Sequence, residues 1–227
     1  MAQQRTVLIT GANRGLGRAV AAELHGRGLR VVLTARHGEE AAEAAAALGA
    51  GATGQALDVT DAESVKQARE RIGPVDVLVS NAGVLLDSGT DPLTVPLELV
   101  RQTLTVNLLG AWQVAQAFVP DMVARGWGRV VFVSSGTGSF SNGLFRSSPG
   151  YSVSKTAVNG LTQMLAAQTL DSGVLVNAVN PGPTRTRMMP GATRTAEEAA
   201  RDIADAATLP DGGPTGTFRR GEQTFDW

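Results

Sequence analysis

Apolar residues along this chain follow two alternating patterns. Short, nearly unbroken runs occur at TVLIT (6–10), RVVLTA (30–35), VDVLVS (75–80), RVVFVS (129–134) and VLVNAV (174–179), with a weaker one at TGQALDV (53–59). Runs rich in Val, Ile and Leu, with no polar alternation, predict strands covered on both faces, as in a parallel sheet. Between them the apolar residues return at helical spacing, as Leu16, Val20 and Leu24 do. Segment 60–73 opens with Thr60 and Glu63 in capping-box spacing and stops at Gly73 and Pro74. Residues 96–125 read as one long helix starting at Pro96, with Pro120 as the place for a bend. Further helices are predicted over 41–47, 151–171 and 195–207, and TGTFRR (215–220) is predicted as a final edge strand.

Strand–helix alternation of this length predicts an α/β chain with a doubly wound, mostly parallel sheet of about seven strands and right-handed crossovers. No linker, repeat or low-complexity block interrupts residues 1–227, so a single Rossmann-type domain is expected.

Composition narrows the chemistry. The formal net charge of −1 gives no electrostatic case for nucleic acid or an anionic membrane. With no cysteine, disulfides, thiolate metal sites and a cysteine nucleophile are excluded. The two histidines lack ligand-spaced neighbours, so no metal is expected. MAQQRTVLIT does not read as a signal peptide, and no apolar stretch approaches the about 18 residues of a membrane span. A cytoplasmic protein is the expectation.

The first predicted strand runs directly into TGANRGLG (10–17), placing Gly11, Gly15 and Gly17 between a strand and a helix. Glycines there allow a tight turn and let backbone N–H groups approach a pyrophosphate at the helix N-terminus, with Asn13, Arg14 and Leu16 in the same turn. Sites for NAD place an acid after the second strand, whereas this chain has Arg36 and His37 there. Arg14 and Arg36 would hold a 2′-phosphate that a carboxylate would repel, which favours NADP(H).

The only tyrosine, Tyr151, stands four residues before Lys155, one of two lysines. Positions i and i+4 share a helix face, and a lysine ammonium there would lower the phenol pKa and make it a usable general acid–base. Chance would supply this pairing in about one case in a hundred.

Tyr151-x-x-x-Lys155, Thr10-Gly11-x-x-x-Gly15-x-Gly17, Asn81-Ala82-Gly83, Ser134-Ser135 and Asn180-Pro181-Gly182 together resemble the short-chain dehydrogenase/reductase superfamily, in order and spacing, over essentially the whole chain. The resemblance implies that Ser135 binds the substrate carbonyl oxygen, Tyr151 donates the proton and Lys155 holds the nicotinamide ribose. It implies that Asn107, which alone would read as a locally satisfied amide, joins a water-linked proton relay. Asp58 and Val59 would contact adenine, Asn81, Ala82 and Gly83 the middle of the cofactor, and Pro181, Gly182, Thr184 and Thr186 its carboxamide end.

The expected reaction is NADPH-dependent reduction of a ketone or aldehyde. The rivals are the reverse alcohol dehydrogenation, an epimerase or dehydratase holding NAD, and a non-catalytic NADP-binding sensor or scaffold, which would have lost the Ser, Tyr or Lys. Ser135 precedes Tyr151 by more residues than is commonest, giving a slightly enlarged loop. Substrate loops are expected near 136–150 and 183–195, with Phe140, Leu144, Phe145, Met188 and Met189 forming an apolar pocket. The helices at 96–125 and 151–171 resemble those that pair in family homodimers and homotetramers.

Overall fold

A computed structural model describes residues 4–141 and 143–227. Its centre is one eight-stranded sheet in the order β3-β2-β1-β4-β5-β6-β7-β8. The strands are β1 (Thr6–Ile9), β2 (Arg30–Ala35), β3 (Ala52–Ala56), β4 (Val77–Ser80), β5 (Gly128–Val133), β6 (Val174–Val179), β7 (Phe218–Arg220) and β8 (Gln223–Phe225). All pair in parallel except β7 with β8, where Arg219 faces Thr224 in a closing hairpin. The expected count of about seven strands is thus one short. The edge belongs to β8, whose three residues carry too little pattern to predict.

Alternation within β1 explains the layering. Val7 and Ile9 point to one face with Val20, Ala21 and Leu24 of α1 (Gly15–Gly26), Ala44 and Ala45 of α2 (Gly38–Ala46), and Ile203 of α7 (Ala196–Ala207). Leu8 points to the other face, with Val65 of α3 (Ala62–Ile72), Phe118 of α5 (Ala111–Arg125) and Leu161 of α6 (Pro149–Gln168). Both faces are dry, so these strands show no polar alternation.

Two helix predictions are corrected. α3 is capped by Asp61, whose side chain accepts from the Glu63 N–H, rather than by Thr60. Thr60 instead donates its hydroxyl to Asp58 Oδ1 at 2.7 Å. The helix expected over 96–125 is α4 (Leu97–Leu104), a π-helical turn (Thr105–Gly110) and α5. Its irregularity lies in that turn, while Pro120 sits inside α5. At Gly110 an added Cβ would lie 2.7 Å from a Val59 methyl, so the wider turn meets the β3–α3 loop where no side chain fits.

Candidate active site

The carboxyl ends of β1, β4, β5 and β6 bring the predicted motifs together. In the β1–α1 turn, Gly11 and Gly15 have φ of +63° and +55°, a region that favours glycine. At Gly17 a Cβ would fall 2.4 Å from the Gly11 carbonyl oxygen and 2.5 Å from Asn81 Nδ2, so the helix can start this close only with glycine. Arg14 occupies the N-cap without a side-chain capping bond, and the first turn of α1 has no acid. α7, by contrast, carries a full capping box of Thr195 and Glu198. Among the described residues no side chain accepts from the leading N–H groups of α1, a donor set that fits a pyrophosphate.

Arg14 and Arg36 are exposed, and neither forms an ion pair among the described residues. Leu16 is partly buried against the core, and Asn13 donates to Glu40 at 2.6 Å. Asp58 lies at the end of β3 within the field of Arg36. Partial burial would raise its carboxyl, but hydrogen bonds from Thr60 and the charges of Arg36 and His37 outweigh that and hold it below the usual range. Val59 is buried beneath Gly110.

Asn81 fastens β4 to β1, donating from Nδ2 to the carbonyls of Thr10 (2.9 Å) and Gly11 (3.1 Å). The Thr10 hydroxyl accepts from the N–H groups of Asn81 and Ala82, both at 3.0 Å. A Cβ at Gly83 would lie 3.2 Å from Asn107 Oδ1 and 3.7 Å from Lys155 Nζ, so these side chains share the space beside Gly83. Asn107 accepts from the Val84 N–H at 2.8 Å and donates to the Val84 carbonyl and Ser154 Oγ, each at 2.9 Å. Its amide thus ties the π-helical turn to the β4 loop and to α6.

The two serines of the pair lie in different surroundings. Ser134 is buried and donates to Asn159 Oδ1 at 2.5 Å, while Ser135 lies close enough to Tyr151 to oppose the rise of its phenol pKa. Ser135 Oγ also accepts from the N–H and hydroxyl of Thr137, which hold its orientation. Tyr151 and Lys155 lie on one face of α6, with Lys155 Nζ 5.6 Å from the Tyr151 ring centroid.

Their titration departs from the expectation. Tyr151 keeps a minor part of its surface exposed, yet burial pushes its phenol up to about 12 against the opposing effect of Ser135. Burial also pushes Lys155 down to about 8 while its Nζ donates to the Val133 carbonyl at 2.7 Å. The ammonium does not bring the phenol toward neutrality here, because desolvation outweighs charge pairing across that gap.

The loop after β6 reaches back over the glycine turn. A Cβ at Gly15 would be 3.8 Å from the Thr186 methyl carbon. Pro181 and Gly182 begin this loop, and the Thr184 hydroxyl is spent on their carbonyls at 3.2 and 3.0 Å. Thr184 is buried and shapes the loop, and Thr186 is the threonine beside the glycine turn.

All five residues expected to form the apolar pocket are exposed. Leu144, Phe145, Met188 and Met189 are exposed loop residues. Phe140 lines a separate cavity of about 260 Å³ with Thr156, Gly160, Gln163 and Trp227, and neither Ser135 nor Tyr151 borders it. The described part of loop 136–150 is held from the far end of the chain, where the Asp226 carbonyl accepts from Ser139 and Ser141 at 3.1 Å each.

Sequence reasoning missed Ser154, which bonds Asn107 from within the YSVSK stretch and donates to the Tyr151 carbonyl at 2.7 Å. It also missed Asp87, a fully buried carboxylate four residues beyond Gly83 that accepts from the first N–H groups of α6.

Comparison with known proteins agrees with this arrangement. A match to the family described as short chain dehydrogenase spans residues 5–197. The oxidoreductase UcpA of Escherichia coli strain K12 is 35% identical over 198 residues, covering 81% of this chain and 71% of that protein. The 3-oxoacyl-[acyl-carrier-protein] reductase MabA of Mycobacterium tuberculosis strain H37Rv is 36% identical over 188 residues, with the same coverages. The solved structure of ElxO with NADP bound superposes with a TM-score of 0.85 at 27% identity, covering 95% of this chain and 96% of that one.

Proposed function

The chain belongs to the short-chain dehydrogenase family, an oxidoreductase family, and on that premise we propose that it reduces a ketone or aldehyde with NADPH. The observation that carries this reading is the Tyr151 phenol, desolvated, beside Ser135 and one helical turn from Lys155 on the same face of α6. A phenol held near 12 keeps its proton through the neutral range, the state from which a proton can be given to a developing alkoxide. In the reverse oxidation the same residue would act as the base, with that proton removed first.

The cofactor, when bound, supplies the hydride. The chain's residues do the rest. Gly11, Asn13, Arg14, Gly15, Leu16 and Gly17 would take the pyrophosphate, with Asp58 and Val59 at the adenine. Asn81, Ala82 and Gly83 would line the middle, and Lys155 would hold the ribose. Pro181, Gly182, Thr184 and Thr186 would frame the carboxamide end. Ser135 would steady the substrate oxygen by donating a hydrogen bond while Tyr151 delivers the proton. Asn107 would keep Val84, Ser154 and Lys155 in register. The exposed Leu144, Phe145, Met188 and Met189 fit a substrate with an apolar portion. A screen of NADPH oxidation over aldehydes, ketones, quinones and ketoacyl thioesters tests the reading, and no turnover on any of them would overturn it.

Cofactor choice provides a second test. Among the described residues neither Arg14 nor Arg36 has a carboxylate within ion-pair distance to release before meeting a 2′-phosphate, so NADPH is expected to bind much more tightly than NADH. Arg36→Asp is expected to reverse the preference, because it replaces an attractive charge with a repulsive one. Equal affinities by binding titration would remove the phosphate assignment.

Assembly follows from surface apolarity. Leu97 (67% exposed), Leu109, Trp112, Val123, Val153 and Met164 (63% exposed) project from the α4–α5 segment and from α6. Large side chains left in water along these helices support pairing with the same helices of a second copy. Light scattering at micromolar concentration is expected to give a homodimer or homotetramer, and a monomer would contradict it. Among the described residues no helix is long and apolar enough to cross a membrane.

A further inference from the structure

α6 has no cap of its own. Ser148 precedes it with no side-chain capping bond, and its first turn holds no acid. The missing acceptor comes from 63 residues earlier in the chain. Asp87, with no exposed surface, accepts from the Gly150 N–H at Oδ2 (2.5 Å) and from the Tyr151 N–H at Oδ1 (3.3 Å) and Oδ2 (3.4 Å). The surrounding backbone holds this carboxylate in place. The Asp87 carbonyl accepts from the N–H (3.3 Å) and hydroxyl (2.7 Å) of Thr90, and the Gly89 N–H donates to the Ser147 carbonyl at 2.8 Å. Position 150 is tight for a side chain, since a Cβ would lie 3.0 Å from Asp87 Oδ2 and 3.3 Å from the Val100 Cα and would press on both.

We propose that Asp87 is a positioning residue for the proposed reaction, which fixes the height and rotation of Tyr151 by capping α6 from the β4 loop. The proposal rests on the carbonyl-reductase reading, because it assigns Asp87 a task toward the tyrosine of that site. The same loop segment carries Gly83 and Val84, which meet Asn107 and Lys155. One loop therefore touches both the start of α6 and the lysine a turn further on. A carboxylate at a helix N-terminus also meets the positive end of the helix dipole, so it is suited to hold that end against drift. Reacting groups displaced by about 1 Å lose on the order of 10²-fold in rate.

Asp87→Ala is expected to lower kcat by about 10²-fold while the Kd for NADPH, set mainly at the α1 turn, changes little. Asp87→Asn retains one acceptor oxygen and is expected to recover part of the loss. Gly150→Ala supplies an independent check. Helix propensity alone predicts that it stabilises α6, whereas crowding of the Asp87 carboxylate predicts a lower kcat with folding retained. Rates are taken per NADPH-binding site, so that unfolded protein does not count. An unchanged kcat in Asp87→Ala would overturn the proposal. So would a loss of folding and NADPH binding in step with kcat, with no recovery in Asp87→Asn.

If wild-type protein turned over no carbonyl, the reductase reading would fall, and Tyr151 itself would still report on its placement. It is the only tyrosine, so phenolate absorbance titrates that one group in the cofactor-free protein. Asp87→Ala is expected to bring its midpoint from about 12 down toward the ordinary tyrosine value as the ring loses its enclosed position. An unmoved midpoint would overturn the positioning role.

Discussion

Tyr151→Phe is expected to abolish measurable carbonyl reduction while leaving the affinity for NADPH nearly intact. The ring remains and only the hydroxyl is lost, so the packing of α6 against its neighbours changes little. What disappears is the proton donor beside Ser135. General acid catalysis of this kind contributes on the order of 10²–10⁴-fold. Ser135→Ala in the same background is expected to add little further loss, because residues acting on one oxygen are not additive. NADPH oxidation on the best substrate of the screen, beside a fluorescence titration of NADPH, measures both halves. A wild-type rate would mean that the proton comes from elsewhere and would overturn the assignment of Tyr151 as the acid.

Lys155→Met is expected to cost as much activity, to weaken NADPH binding, and to raise the melting temperature of the cofactor-free protein at neutral pH. Lys155 is 5% exposed, and among the described residues its ammonium donates to the Val133 carbonyl. The fall of its pKa from 10.5 to about 8 corresponds to a burial cost on the order of 3 kcal/mol. Losing the bond to Val133 returns about 1 kcal/mol of that, leaving a gain of a few degrees in melting temperature. The sign follows from proton counting. Between about pH 8 and 10.5 the unfolded chain holds the lysine proton and the native one does not, so wild-type stability rises with pH across that window. Tyr151 acts in the opposite sense from 10 to about 12, where the native state holds the extra proton. Lys155→Met should flatten the first slope and leave the second. A variant that melts lower than wild type at neutral pH would show that the ammonium is stabilising where it lies.

The strands and glycine turns were legible because their causes are local. β2 and β6 coincide with their apolar runs, since both faces of each are covered and every side chain but that of Arg30 is buried. β3 was the weak prediction for a physical reason. At Gly54 a Cβ would stand 2.3 Å from the backbone of α2, so that strand is specified partly by a missing side chain. The π-helical turn was illegible because Asn107 and Gly110 match a helical pattern as well as a wider one. What selects the wider turn is contact with Val59 and the β4 loop, far off in sequence. Asp87 was passed over for a similar reason. A lone acid after Gly83 reads as a solvated loop residue until the fold sets it under α6. In the same way, Tyr151 and Lys155 were found by spacing, but their titration was misjudged, because spacing says nothing about how little water reaches them.

The strand order also bears on how the chain emerges from a ribosome. β1, made early, ends in the interior of the sheet, and after β3 the chain crosses back to lay β4 along its open side. From there each new strand meets an edge already formed, so the sheet can grow as it is translated. Its two faces are not closed at the same time. The face bearing Val131 and Val133 acquires Ile203 and Ala204 only when α7 appears, some seventy residues after β5. At about 5–20 residues per second that surface stays uncovered for several seconds. A stalled or truncated nascent chain ending before Ala196 would therefore be a strong candidate for capture by chaperones, although β1 to β6 could already be paired.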